Sequence, residues 1–150
     1  PHTWFPFLSS KVVGIRVMDI CKNDINRGLY QLAHETIHCL CPHRGINANV
    51  FEEGLATHFA AEYMDEYEKQ PDWHPAETDY KYVLALKCIK KAFEIDPNIV
   101  TKLVAKERNF VNITENMILE VSPKLPRDLA KILTTDFYDD SWIELANKIE

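Results

Sequence analysis

Long apolar runs are missing from this chain. None approaches the roughly 20 residues that a membrane span needs, so no membrane partner is expected. Blocks rich in lysine and arginine are missing too. With 17 basic against 23 acidic residues and a net charge of −6, the chain lacks the electrostatic footprint of a nucleic-acid binder. Cysteine is sparse: Cys21, Cys39, Cys41 and Cys88 fall short of the density of a disulfide-built fold. Cys39 and Cys41 also lack the spacing of a CxxC metal knuckle. Free thiols in a reducing compartment follow, and the cytoplasm is the expected location. No secretory leader is recognisable, but the chain begins at Pro1 rather than Met, as a trimmed chain or a released piece of a longer protein would, and a leader lost that way stays open. Internal repeats and low-complexity segments are absent, and strand-forming sequence is scarce after residue 20.

What is present is enough apolar material for one core. A chain of 150 residues that is 46% hydrophobic has the size and content of a single domain, 1–150. Within it, an N-terminal part (1–67) and a helical C-terminal part (78–150) flank a linker at "EKQPDWHPAE" (68–77). The stretch "KVVGIRVMDI" (11–20) puts Val13, Ile15 and Val17 on one face and predicts a strand near a sheet edge. Asp24 or Asn23 can cap a helix from about Ile25 to Cys39, which Pro42 ends. Asn49 can cap the next, running to about Tyr67, with Glu52 three residues on as the capping-box carboxylate. Thr78 can cap a helix over "DYKYVLALKCIKKAF". Shorter helical patterns follow at 99–107, 114–121 and 126–134, and a last helix starts at Ser141, with Glu144 completing a second capping box. The fold class is therefore α+β, mainly α: a short N-terminal β element, two long helices and a C-terminal helical bundle.

The first of those helices carries "LAHETIHCL". Residues four apart on a helix project from one face, so His34 and His38 can share one metal ion. Glu35, rotated about 100° around the helix, can lean over the ion's open position without binding it. This is the H-E-x-x-H pattern of a Zn2+ site with the glutamate as general base. The plain alternative is a trio that faces solvent or satisfies itself. The apolar flanks weigh against it, because burying such groups without partners is costly. A catalytic zinc takes three protein ligands, and "FEEGLATHFA" offers the third. Glu53 follows a loop long enough to reverse the chain, and Gly54 beside it permits close helix approach. Glu52 competes, but the capping box occupies it elsewhere. Both also suit an acidic first turn favoured by the helix dipole.

"HETIH" followed by "FEEGLATHFA", with 14 residues between His38 and Glu53, resembles the gluzincin branch of the zincin metallopeptidases, the thermolysin-like and aminopeptidase-like enzymes. The likeness covers about residues 26–64. It implies a zincin-like active-site helix, a glutamate helix with Glu53 as ligand, and hydrolysis of a peptide or protein substrate by metal-activated water with Glu35 as base. It also implies a downstream tyrosine or histidine that stabilises the oxyanion. Tyr80 is the choice, with Tyr82 and His74 behind it, since Tyr82 shares a stripe with Leu86 and Ile89 and reads as core. Two departures matter. The family's second-shell aspartate, four residues after the ligand, is replaced by Thr57. The rival metzincin pattern fails, with Cys41 where its glycine belongs, Arg44 where its third histidine belongs and His43 one residue short. His58 reads as a surface or packing histidine, and Trp73, Trp142 and Phe137 as core or lid anchors. Strand 11–18 could add an extended peptide to its edge. Two further readings stand beside the peptidase: a zinc-binding, catalytically inactive regulatory or interaction domain, and a helical interaction module without metal.

Overall fold

The structure, a computed structural model, describes residues 1–4, 12–42, 47–70 and 79–149. It is mainly helical, with seven α-helices among the described residues and one two-stranded antiparallel sheet. The strands are β1 (His2–Trp4) and β2 (Gly14–Arg16), in register Thr3 to Ile15. The strand expected over 11–20 is thus three residues long. Met18 and the 3-10 turn Asp19–Lys22 replace its second half, and its partner β1 was not anticipated.

Helix α1 (Ile25–His38) begins where the Asp24 side chain accepts the Arg27 N–H at 3.0 Å. Helix α2 (Val50–Glu66) begins where Asn49 accepts the Glu52 N–H at 2.9 Å. Both caps satisfy backbone donors that a helix start leaves open. The two helices run antiparallel: His38 meets Glu52 at one end, and Tyr30 and Ala33 pack with Ala60 and Met64 at the other. Val50 through Thr57 are all buried, so the first half of α2 is enclosed on every side and forms the centre of the molecule.

Helix α3 (Tyr80–Ile95) packs along α2. Its cap is Asp79, which accepts the Lys81 N–H; Thr78 lies outside the described residues. Gly54 belongs to this contact. A Cβ there would stand 2.6 Å from the Ala85 carbonyl oxygen and 3.3 Å from the Ile89 Cβ, so the glycine lets α2 approach α3 and not, as the sequence suggested, α1. Helices α4 (Ile99–Lys106), α5 (Glu115–Val121), α6 (Arg127–Thr134) and α7 (Ile143–Ala146) close the bundle. The expected final helix at Ser141 is instead a 3-10 turn, Asp140–Trp142, capped by Asp139, followed by α7. Glu144 pairs with Lys148 at 2.8 Å. One apolar core runs from Ile37 of α1 to Ala146 of α7, with Phe51, Ile89, Leu133, Phe137 and Trp142 at its centre. Among the described residues no helix is long and apolar enough to cross a membrane.

A last connection bears on the site. The turn between α6 and α7 folds back on the start of α2, where Val50 N–H donates to Thr135 O at 2.9 Å and Phe137 N–H to Ala48 O at 3.0 Å. Asn47 adds a side-chain bond to Asp136 at 2.9 Å. This short antiparallel bridge brings Tyr138 to the same end of the molecule as His38 and Glu53.

Candidate metal centre

His34 and His38 lie on one face of α1, their ring centroids 5.2 Å apart. Both rings turn to the first turn of α2. His34 Nε2 is 3.2 Å from Glu53 Oε2, and His38 Nε2 is 3.7 Å from Glu53 Oε1. Ligand atoms around a tetrahedral zinc, each at about 2.0–2.1 Å, stand about 3.3 Å from one another. The spacing is therefore that of groups an ion can join. His34, Glu35 and His38 also offer ligand atoms that all lie within 4.8 Å of one another. Together they form a group able to hold a metal ion, with Glu53 against both imidazoles.

Glu35, Glu52 and Glu53 are 3%, 0% and 6% exposed. Enclosed carboxylates and imidazoles together are a donor set that a divalent cation can take. A carboxylate accepts hydrogen bonds and does not donate them, so His34 presents an Nε2–H to Glu53. That is the proton a metal replaces.

The remaining ring nitrogen of His38 is also held. Its Nδ1–H donates to Glu52 Oε1 at 2.7 Å. The sequence had assigned Glu52 to capping α2. Its backbone N–H does bond Asn49 as that motif requires, but its carboxylate is engaged by His38. Thr57 donates its hydroxyl to the Glu53 carbonyl one helical turn back, at 2.8 Å.

Burial raises the Glu35 carboxyl above its ordinary value, with His38 and then His34 pulling the other way. Burial would lower His38, but the bond to Glu52 and the charges of Glu53 and Glu52 outweigh it, and the imidazole is raised. Cys39, just past the second histidine, is pushed up by burial and then by the Glu35 charge. It is a poor thiolate at neutral pH. The four cysteines are free.

A cavity of about 200 Å³ opens on the site, floored by His34, Glu35, His38 and Glu53 and walled by Thr3 of β1, Tyr82 and Tyr138. A larger hollow of about 340 Å³ on the outer face of α3 is lined by Lys87, Lys90, Lys91 and Glu94 among others. It carries no histidine, and the motif histidines and Glu35 are in the smaller one. Tyr82 stands edge-on to His34 with ring centroids 5.8 Å apart. Burial, then the Glu53 charge, holds its hydroxyl far above the usual range, so it stays protonated as a donor. Tyr138 is raised by the same two causes in the same order.

Tyr80 is not part of this group. It is 54% exposed, does not line the cavity, and its hydroxyl donates to Asn147 Oδ1. The helix phase explains the correction: two residues along α3 is about 200° of rotation, so Tyr80 and Tyr82 look in opposite directions. Tyr138 escaped sequence reasoning because it reaches the site only through the bridge to Ala48, almost ninety positions away. Its own surroundings, "TTDFYDD", read as a turn. His43, Arg44, Trp73 and His74 lie outside the described residues. His58 packs its ring 5.1 Å from Phe93 and pairs with Glu62 at 3.2 Å, away from the cavity. Phe137 and Trp142 are core, the indole N–H donating to Phe137 O at 3.2 Å.

No family model matches the chain, nor does any curated protein or solved structure.

Proposed function

We propose that this chain is a zinc-dependent peptidase. The observation that carries the reading is the Glu53 carboxylate lying across the Nε2 atoms of both motif histidines, 3.2 and 3.7 Å away, with Glu35 on the same wall. His34, His38 and Glu53 would hold the ion. Zinc bound there supplies Lewis acidity, which polarises a carbonyl and makes water acidic enough to ionise near neutral pH.

The chain's own groups do the rest. Glu35 accepts the proton of the attacking water on its carboxylate. Its raised proton affinity moves it toward the range in which a base can both take a proton and return it. The same proton then goes to the leaving amine. Tyr82 and Tyr138 keep their hydroxyl protons at working pH and donate to the substrate carbonyl oxygen as it gains negative charge. Thr3 of β1 on the cavity wall argues for an extended peptide laid along a strand, by backbone pairing at a sheet edge. This moves the expected edge from strand 11–18 to β1.

Glu35→Gln is the test. It should keep its zinc, measured as metal content of protein purified without a histidine tag, and lose about 10²–10⁴-fold in peptide hydrolysis. Full turnover in the variant would remove Glu35 from its role. Zinc bound by the unaltered chain, with no hydrolysis across a broad peptide set, would favour the inactive zinc-binding domain.

A further inference from the structure

We infer that a hollow next to the metal centre is a specificity subsite, in which Gln31 donates its amide N–H groups to the side-chain oxygen of a substrate glutamine. The inference rests on the peptidase reading above and names its substrate class. Arg27, Gln31 and His34 follow one another along α1 at steps of four and three residues, and so share a face. Gln31 therefore stands about 4.5 Å along the helix axis from His34. A hollow of about 180 Å³ opens over that face, and His34 and Tyr82 line both it and the cavity of the metal centre. A space of about 150 Å³ holds a molecule of benzene's size, so one side chain fits. A residue flanking the bond held at the metal reaches it directly.

Gln31 is 7% exposed, and its amide is oriented from behind. The Met18 backbone N–H donates to Gln31 Oε1 at 2.9 Å, and the Cys21 thiol donates to the same oxygen at 3.2 Å. Only the oxygen of an amide can accept a backbone N–H, which fixes the two ends. The Nε2 end turns away from Met18, toward the hollow that the residue lines. Among the described residues it has no acceptor and is not sealed off. A ligand that fills the hollow displaces water from these N–H groups, and one without an acceptor leaves them unpaired, which is costly. Charge then selects the amide over the acid. Asp24 already engages the Arg27 guanidinium at 3.3 Å, and Asp79 lines the hollow from the start of α3. The carboxylates outnumber Arg27, which favours a neutral ligand over an anionic one. Tyr30 and Tyr82 on the wall give the methylene stem of glutamine apolar contact.

The experiment measures kcat/KM on peptides that differ only at one or the other residue flanking the cleaved bond. That residue is glutamine, methionine sulfoxide (an acceptor oxygen and no donor), methionine or glutamate. With the unaltered chain, glutamine and the sulfoxide should exceed methionine by about 5–100-fold, and glutamate should fall below glutamine. Gln31→Met should level glutamine, sulfoxide and methionine. Gln31→Glu keeps an oxygen for Met18 and Cys21 but presents an acceptor to the hollow, so it should lose the preference for the sulfoxide. Calorimetric binding of the same peptides to Glu35→Gln should rank them as the unaltered chain cuts them. A Gln31 that only braces Met18 would leave the ranking unchanged in both variants, which overturns the inference. Methionine or glutamate outranking glutamine in the unaltered chain overturns it too. Should Gln31→Met not fold, Gln31→Glu decides: a sulfoxide preference that persists refutes the inference, and its loss supports it. If the unaltered chain cuts no peptide, the reading beneath falls and takes the subsite with it. If it cuts peptides without regard to these two positions, the subsite alone fails.

Discussion

On the side of α2 that meets α3, Gly54 closes on Ala85 and Ile89. On the side that meets α1, Glu52 and Glu53 close on His38 and His34. The two contacts share one helix and are equally buried, yet they differ in kind. The apolar side is complete in itself, because burial and dispersion need only close fit. The polar side brings three carboxylates and two imidazoles together, a donor set that a divalent cation can take. Buried ionisable groups are costly to keep for packing alone, and the proposed metal site rests on this second contact.

The sharpest test of that contrast starts on the apolar side. Ile89→Ala, at a site 0% exposed, should cost about 2–5 kcal/mol in urea denaturation, with the same loss whether zinc or a chelator is present. A cost that shrank when zinc was added would mean that the two faces are not independent. Next comes the ion. Zinc at about 100 times its dissociation constant should stabilise the chain by about 2.7 kcal/mol, and Glu53→Ala should abolish most of that increment. Superimposable denaturation curves with zinc and with chelator would leave the polar face without the occupant argued for it. Smaller is the effect of Gly54→Ala. The new methyl would meet the backbone of α3, not α1, and overpacking of this sort costs about 1–3 kcal/mol. The zinc increment should survive it, although the substituted residue adjoins Glu53. Its loss would show that the α2–α3 contact sets the geometry of the site.

Legibility followed the same division. The two site helices were readable because their signals are local: Asp24 and Asn49 cap within three residues, and the four-residue step from His34 to His38 fixes a common face. Features decided by distant partners were not. β1 is three residues of "HTW" and carries no alternation long enough to register. Tyr138 depends on a bridge between segments far apart in the chain. Tyr82 was read as core by its stripe and does border the core, but its exposed edge lines the cavity. Glu52 shows the limit most clearly. The capping rule correctly foresaw its backbone bond and so hid the destination of its carboxylate, which only the packing of α1 on α2 decides.

The smallest expected effect concerns protons, and it separates the two faces by sign. Without metal, His38 is raised above its ordinary value of 6.5. The folded state therefore holds that proton more tightly than the unfolded chain does. The stability it lends is complete below pH 6.5 and is lost as pH rises through the higher folded value. Glu35, raised above 4.5, acts in the same direction from lower pH. His58 opposes them: burial holds it below 6.5, so its contribution improves as pH rises through that region. A bare comparison of pH 6 with pH 8 mixes these terms, and the informative quantity is the difference between the unaltered chain and His38→Gln. The metal-free chain should lose more stability than His38→Gln between about pH 6 and pH 8, while the Ile89→Ala cost stays level across the same range. With zinc present the sign reverses, because the ion binds the deprotonated ring and its affinity climbs with pH. Equal pH slopes for the metal-free chain and His38→Gln would mean that His38 is not held by the carboxylates of α2.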